Sequence, residues 1–377
     1  MLYEIDKSCL ELLNDKNDIS LIAFFEQLAL DRRKCKNLLV AEREVLDKFA
    51  KWEGLSAAAR EIYTRLANRS SEYRNIVNNT TKYCRLVATG EVECIDERGH
   101  EIIILPIEKI AMKELTGKTL IVTENIEDIG LYKIIGQYYI RRKRLGNVRI
   151  DFEERNGGGS TIATVVKEII SESMRMFICI LDSDKKYADQ QSPGDTMKKV
   201  IETVEDKMTN FNYDILPLEI HEVENLIPIS VLEMVVTKKC LNEEALKFMK
   251  RLIKNDSSSC SPVFFFDLKK GIPANKIVKD KNADAQEKKK FAKNQLYRTY
   301  WEKYICEYGI LIDQCECSGA IIPGVCDNIL KYSIEYCREH LMQTFEETPI
   351  DSYMEKIWME IGERIYCWGC VGNRLAC

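Results

Sequence analysis

Between about residues 117 and 235, short apolar runs alternate with one-sided apolar repeats, which predicts strands separated by helices. Thr119 to Thr123, Val148 to Phe152, Phe177 to Leu181 and Tyr213 to Leu218 read as four strands. A helix from about Glu127 to Tyr138 follows the first. After the second, Ile162, Val165, Val166, Ile169 and Ile170 mark one apolar helix face, and after the third, Met197, Val200, Ile201, Val204 and Met208 mark another. The order βαβαβαβ predicts an α/β fold with a four-stranded parallel sheet, because each right-handed crossover needs a helix to cover the sheet.

On either side the pattern changes. Residues 1–116 read as mainly helical, with one apolar stretch from Leu21 through Leu38 and Leu39 to Trp52 and a second from Ala57 to Ile76. Tyr83 to Ala88 and Glu101 to Leu105 bracket turn-rich Gly90 and Gly99, as in a small β-hairpin or meander. Residues 236–377 return to helical spacing. Three domains are therefore expected: 1–116, 117–235 and 236–377.

Composition narrows the class. A length of 377 residues and 45% hydrophobic content suit ordinary buried cores, and no apolar stretch reaches the length of a membrane span. The net charge of −5 gives no global field for nucleic acid, so any such affinity must come from local basic groups or a bound cation. Fifteen cysteines without a secretory leader at Met1 to Asp6 predict a reducing, cytoplasmic setting with thiols packed as small apolar groups. Cys315, Cys317, Cys367 and Cys370 leave a zinc site open, although only the last two have Cys-x-x-Cys spacing.

Chemistry gathers where strands end. The third strand stops at Asp182-Ser183-Asp184, and alternate side chains of an extended segment share a face. The first strand ends in Glu124-Asn125-Ile126-Glu127-Asp128. Such carboxylates suit Mg²⁺ or Mn²⁺, which would bridge a phosphodiester and activate water; they also occur simply as turn formers. Glu222 and Glu224 follow the fourth strand and either complete a second metal position or cap a helix. Lys185 either offsets phosphate charge or pairs with the aspartates. Gly157, Gly158, Gly159 and Ser160 precede a helix, so they form either a phosphate-binding turn or a plain tight turn. Arg141, Arg142, Lys143 and Arg144, and Lys288, Lys289 and Lys290, are candidate nucleic-acid contacts or solvated faces, with Phe291, Tyr297, Tyr300 and Trp301 placed to stack bases near the second group.

Thr123 to Asp128 resembles the Glu-Gly-x-x-Asp motif of the Toprim fold, and Ile180 to Asp184 resembles its Asp-x-Asp motif, in the same strand order. The resemblance covers about residues 117–235. Asn125 replaces the usual glycine, and asparagine tolerates left-handed backbone there. His221 to Pro228 is similar to the additional acidic motif of OLD-like bacterial anti-phage Toprim proteins. The resemblance implies a nuclease with Glu124 as ligand or acid/base, Asp182 and Asp184 as metal ligands, and Asp128, Glu222 and Glu224 in support. It further implies a DNA or RNA substrate and, since no P-loop is present, a separate ATPase or sensor subunit, with homo-oligomerisation left open. The alternatives are a noncatalytic nucleic-acid or protein-binding subunit and a receiver-type signalling domain.

Overall fold

The computed structural model describes residues 1–14, 18–110, 117–172, 175–205, 211–254, 261–278, 285–312, 319–347 and 350–375. Contacts divide the chain into two compact units that are not contiguous in sequence. The first holds Met1–Ile180, Val200–Leu216 and Trp358–Cys377; the second holds Leu181–Lys199 and Pro217–Ile357.

Within the first unit, strands β1 (Leu2–Ile5), β2 (Leu38–Ala41), β3 (Lys82–Val87), β4 (Glu93–Glu97) and β5 (His100–Pro106) form a five-stranded sheet in the order β2-β1-β3-β5-β4. The helix Ile19–Arg33 makes the parallel crossover from β1 to β2, and Asp18 caps it by accepting the amides of Ser20 and Leu21 at 2.9 and 3.1 Å. The expected helices are present as Ile19–Arg33, Arg43–Lys51, Ala57–Asn68 and Ser70–Asn78, but the small hairpin expected beside them is part of a five-stranded sheet. Leu38 and Leu39 are fully buried in a four-residue strand, and so short an apolar run continues a helical pattern as readily as it forms a strand. Strands β3 and β5 are parallel neighbours, and the hairpin is β4 with β5.

The second sheet contains β6 (Leu120–Thr123), β7 (Glu153–Asn156), β8 (Phe177–Leu181) and β9 (Tyr213–Pro217), in the order β9-β8-β6-β7. It is parallel, with helices flanking it. Strands β6 and β8 are buried along their whole length, as central strands covered on both faces should be. The expected second strand is displaced. Val148–Ile150 instead pairs antiparallel with Cys370–Gly372, and the sheet takes up the exposed, charged Glu153–Asn156 as its edge. Arg175 clamps Glu153 through two guanidinium nitrogens at 2.7 and 3.0 Å, and Lys133 reaches Glu154 at 2.6 Å. Charge on an edge strand discourages pairing with another chain.

Among the described residues the second unit is mainly helical, with helices Ile229–Lys239, Glu243–Lys254, Gln295–Tyr308 and Ile329–Glu347 and a short strand pair, Ile272–Pro273 with Ala320–Ile322. Phe248, Phe266 and Trp301 pack as an aromatic cluster with ring centroids 5.6–6.3 Å apart. The indole nitrogen of Trp301 donates to the Lys186 carbonyl at 2.9 Å, which ties the segment after β8 to this core. Among the described residues no helix is long and apolar enough to cross a membrane.

Candidate metal centre

In the second unit, the residues that follow β8 are stitched to those that follow β9. The Leu218 amide donates to the Leu181 carbonyl at 2.9 Å, buried Ser183 donates its hydroxyl to the Ile220 carbonyl, and the Asp184 amide donates to the His221 carbonyl at 2.9 Å. Asp184 stands in the left-handed region at φ +54°, a conformation that aspartate tolerates better than most residues. Gly194 closes the loop by donating its amide to the Ser183 carbonyl at 2.7 Å. A Cβ at Gly194 would lie 2.3 Å from Asp184 Oδ2 and 2.8 Å from Asp184 Cβ. The glycine is there because the aspartate needs the space.

This stitching brings one oxygen each from Asp184 and Glu222 and one ring nitrogen of His221 to within 4.8 Å of one another. His221 is buried, and the two carboxylates are half-buried. His221 Nε2 lies 3.7 Å from Glu222 Oε1 and 3.9 Å from Asp267 Oδ2, while its buried Nδ1 has no hydrogen-bond partner among the described residues. Glu222 sits at the head of the short turn Val223–Leu226, with its amide donating to Asn225 Oδ1 at 3.1 Å. Asn225 in turn donates its side-chain amide to the carbonyls of Val263 and Phe266 at 3.0 and 2.8 Å. The capping and ligand readings of Glu222 are thus compatible.

Around this group lie further charges. Asp267 Oδ1 accepts the amides of Lys269 and Lys270 at 3.0 and 2.8 Å. Burial would raise the Asp267 pKa, but the contact with His221 and these two amides outweigh it and hold the carboxyl below its usual range. Lys269 Nζ reaches Glu222 Oε2 at 2.6 Å and Glu224 Oε1 at 3.1 Å. Burial is the largest influence on Glu224 and raises its pKa against the pull of Lys269. Lys276 is depressed, first by burial and then by the ammonium group of Lys186, with Asp267 pulling the other way and Lys270 adding to the depression.

The other expected residues are placed as follows. Asp182 is half-buried immediately after β8 and is not part of the three-residue group among the described residues. Lys185 pairs with Glu219, not with the aspartates. Glu124 and Asp128 belong to the first unit. Asp128 Oδ2 accepts the Asn125 amide at 3.1 Å, and Asn125 Oδ1 accepts the Glu127 amide at 3.2 Å, so side chains shape this turn. Asn125 is not among the residues with positive φ, which corrects the left-handed expectation. Gly157, Gly158 and Gly159 direct their amides to the Thr123 carbonyl, the Asn156 side chain and the Glu124 carbonyl at 2.8, 3.0 and 3.0 Å. That geometry makes the glycine turn a brace for the end of β6, and Ser160 is exposed beside it.

Arg141 and Arg142 end the helix Asp128–Arg142, and Lys143 and Arg144 follow, with Lys143 Nζ 5.8 Å from the centre of the Tyr139 ring. Lys288 and Lys289 are exposed on the helix Ala285–Lys293, which also carries Lys290. The stacking expectation fails for Tyr297 and Trp301, which are buried, and Phe291 is covered by the Arg298 guanidinium at 4.2 Å. Cys315 and Cys317 lie outside the described residues. Cys367 and Cys370 are buried, and burial pushes the Cys367 thiol up to about 12.

His221, Asp267 and Lys269 were not expected in this site. The signal for His221 was its place beside Glu222 directly after the fourth strand; Asp267 and Lys269 reach the group only through tertiary structure. Comparisons with protein-family models, with curated proteins and with solved structures find no match to this chain.

Proposed function

We propose that this protein is a divalent-cation-dependent nuclease that hydrolyses phosphodiester bonds of DNA or RNA, with the ion held by Asp184, His221 and Glu222. The observation that carries the reading is the convergence of two carboxylates and an imidazole within 4.8 Å on backbone fixed by hydrogen bonds at the ends of two adjacent strands. Open parallel sheets place their ligands at such carboxyl ends. The buried Nδ1 of His221 and the oxygen-rich donor set fit a cation, and one imidazole among carboxylates favours Mn²⁺ over Mg²⁺. A bound ion would supply Lewis acidity at the phosphate and lower the pKa of a coordinated water.

The strand order β9-β8-β6-β7, with Glu124 after β6 and the aspartates after β8, supports a Toprim-like assignment. The role of Glu124 as ligand or acid/base, the anti-phage setting and the separate ATPase or sensor subunit rest on that resemblance alone. The test is incubation of plasmid, single-stranded DNA and transfer RNA with and without Mn²⁺. Cleavage should require the ion and vanish in Asp184→Ala, His221→Ala and Glu222→Ala; cutting by these variants at the wild-type rate refutes the site. Glu124→Ala tests the motif-based assignment separately.

A further inference from the structure

We propose that Lys269 is the built-in second cation of this centre, so that the site takes one divalent ion and not the pair that its acids would otherwise accommodate. The inference rests on the metal-dependent reading above. Glu222 divides its two oxygens: Oε1 lies 3.7 Å from Nε2 of the candidate ligand His221, while Oε2 holds the Lys269 ammonium at 2.6 Å. A carboxylate that bridges two metal ions is used in the same way, one oxygen to each. The same ammonium contacts Glu224 Oε1 at 3.1 Å. Glu224 is buried, and its Oε2 has no hydrogen-bond partner among the described residues. A carboxylate so placed requires a compensating positive charge close by, and Lys269 provides it.

The position of Lys269 is set by the backbone. Its amide donates to Asp267 Oδ1 within a turn that ends in the Gly271 amide donating to the Asp267 carbonyl at 2.8 Å. Gly271 has φ +71°, and a Cβ there would lie 2.0 Å from the Ile322 carbonyl oxygen, so the turn has little room to move. A divalent ion between Glu222 and Glu224 would have to displace an ammonium in hydrogen-bond contact with both, against direct charge repulsion. Glu224, expected from the sequence as a metal ligand, is on this reading the partner of a lysine.

The test counts bound Mn²⁺ on the full chain by calorimetry and electron paramagnetic resonance. Lys269→Met should bind one more ion than the wild type, Lys269→Arg should not, and adding Glu224→Gln to the Met variant should return the count to the wild-type value. Equal counts for the wild type and a folded Lys269→Met overturn the inference. If that variant does not fold, Glu224→Gln in the wild-type background decides: an unchanged count supports the inference, and loss of one ion overturns it. A count unaffected by both Asp184→Asn and His221→Ala shows instead that the three-ligand reading itself has failed.

Discussion

Replacing Gly194 with alanine tests how the centre is built without touching a ligand. The added Cβ would sit 2.3 Å from Asp184 Oδ2, about 1 Å inside the 3.4 Å at which ordinary van der Waals contact begins. Rotation of the carboxylate cannot relieve this, because Asp184 Cβ and Cγ are also only 2.8 and 3.0 Å away. The loop must therefore shift, and it is fixed by the Gly194-to-Ser183 and Asp184-to-His221 hydrogen bonds. Overpacking of this kind costs about 1–3 kcal/mol. Disturbing the support of a metal ligand loses about 10–100-fold in metal affinity. Chemical denaturation in EDTA measures the first quantity, and Mn²⁺ titration of the folded variant measures the second. Wild-type stability together with wild-type Mn²⁺ affinity would refute the claim that Gly194 positions Asp184.

Three further outcomes are expected. Asp214→Ala should destabilise the first unit by about 1–3 kcal/mol in thermal or urea unfolding, because it removes the acceptor of Arg364 and leaves the buried Trp368 indole nitrogen, now 3.0 Å from Asp214 Oδ2, without a partner. Burial pushes the Cys9 and Cys367 thiols up to about 12, so the folded state keeps protons that an unfolded chain releases near 8.5. That contribution is complete below about pH 8.5 and is lost as pH rises towards 12, so stability should fall through this window; iodoacetamide at pH 8 should label exposed Cys240 and Cys306 and spare Cys9 and Cys367. His221→Asp, which makes the donor set all oxygen, should lower the preference for Mn²⁺ over Mg²⁺ by about tenfold in competition titrations.

What the sequence made legible follows burial. Strands β6 and β8 are buried throughout, almost wholly apolar and followed by acids, so their positions and the ligand candidate Asp184 could be read directly, and Glu222 was read from its place after the fourth strand. Strand β7 could not, because an edge strand of Glu153, Glu154, Arg155 and Asn156 carries no apolar alternation, and the nearby Val148–Ile150 offered a better pattern. The roles of His221 and Lys269 were hidden for another reason: Lys269 meets Glu224 across 45 residues of chain, and no local spacing encodes such a contact. The division into units was equally invisible, since each is assembled from separated stretches.

That interleaving has a consequence for biosynthesis. Cys370–Gly372 pairs with Val148–Ile150, and Trp368 and Arg364 hold Asp214, so the first unit cannot close until these residues have left the ribosome. The stretch Pro217–Ile357 emerges before them. At ordinary elongation rates its synthesis takes on the order of ten seconds, far longer than helices and hairpins need to form. The earlier helices of Pro217–Ile357 thus have time to form on the nascent chain while the sheet unit, begun first, waits for its last pieces.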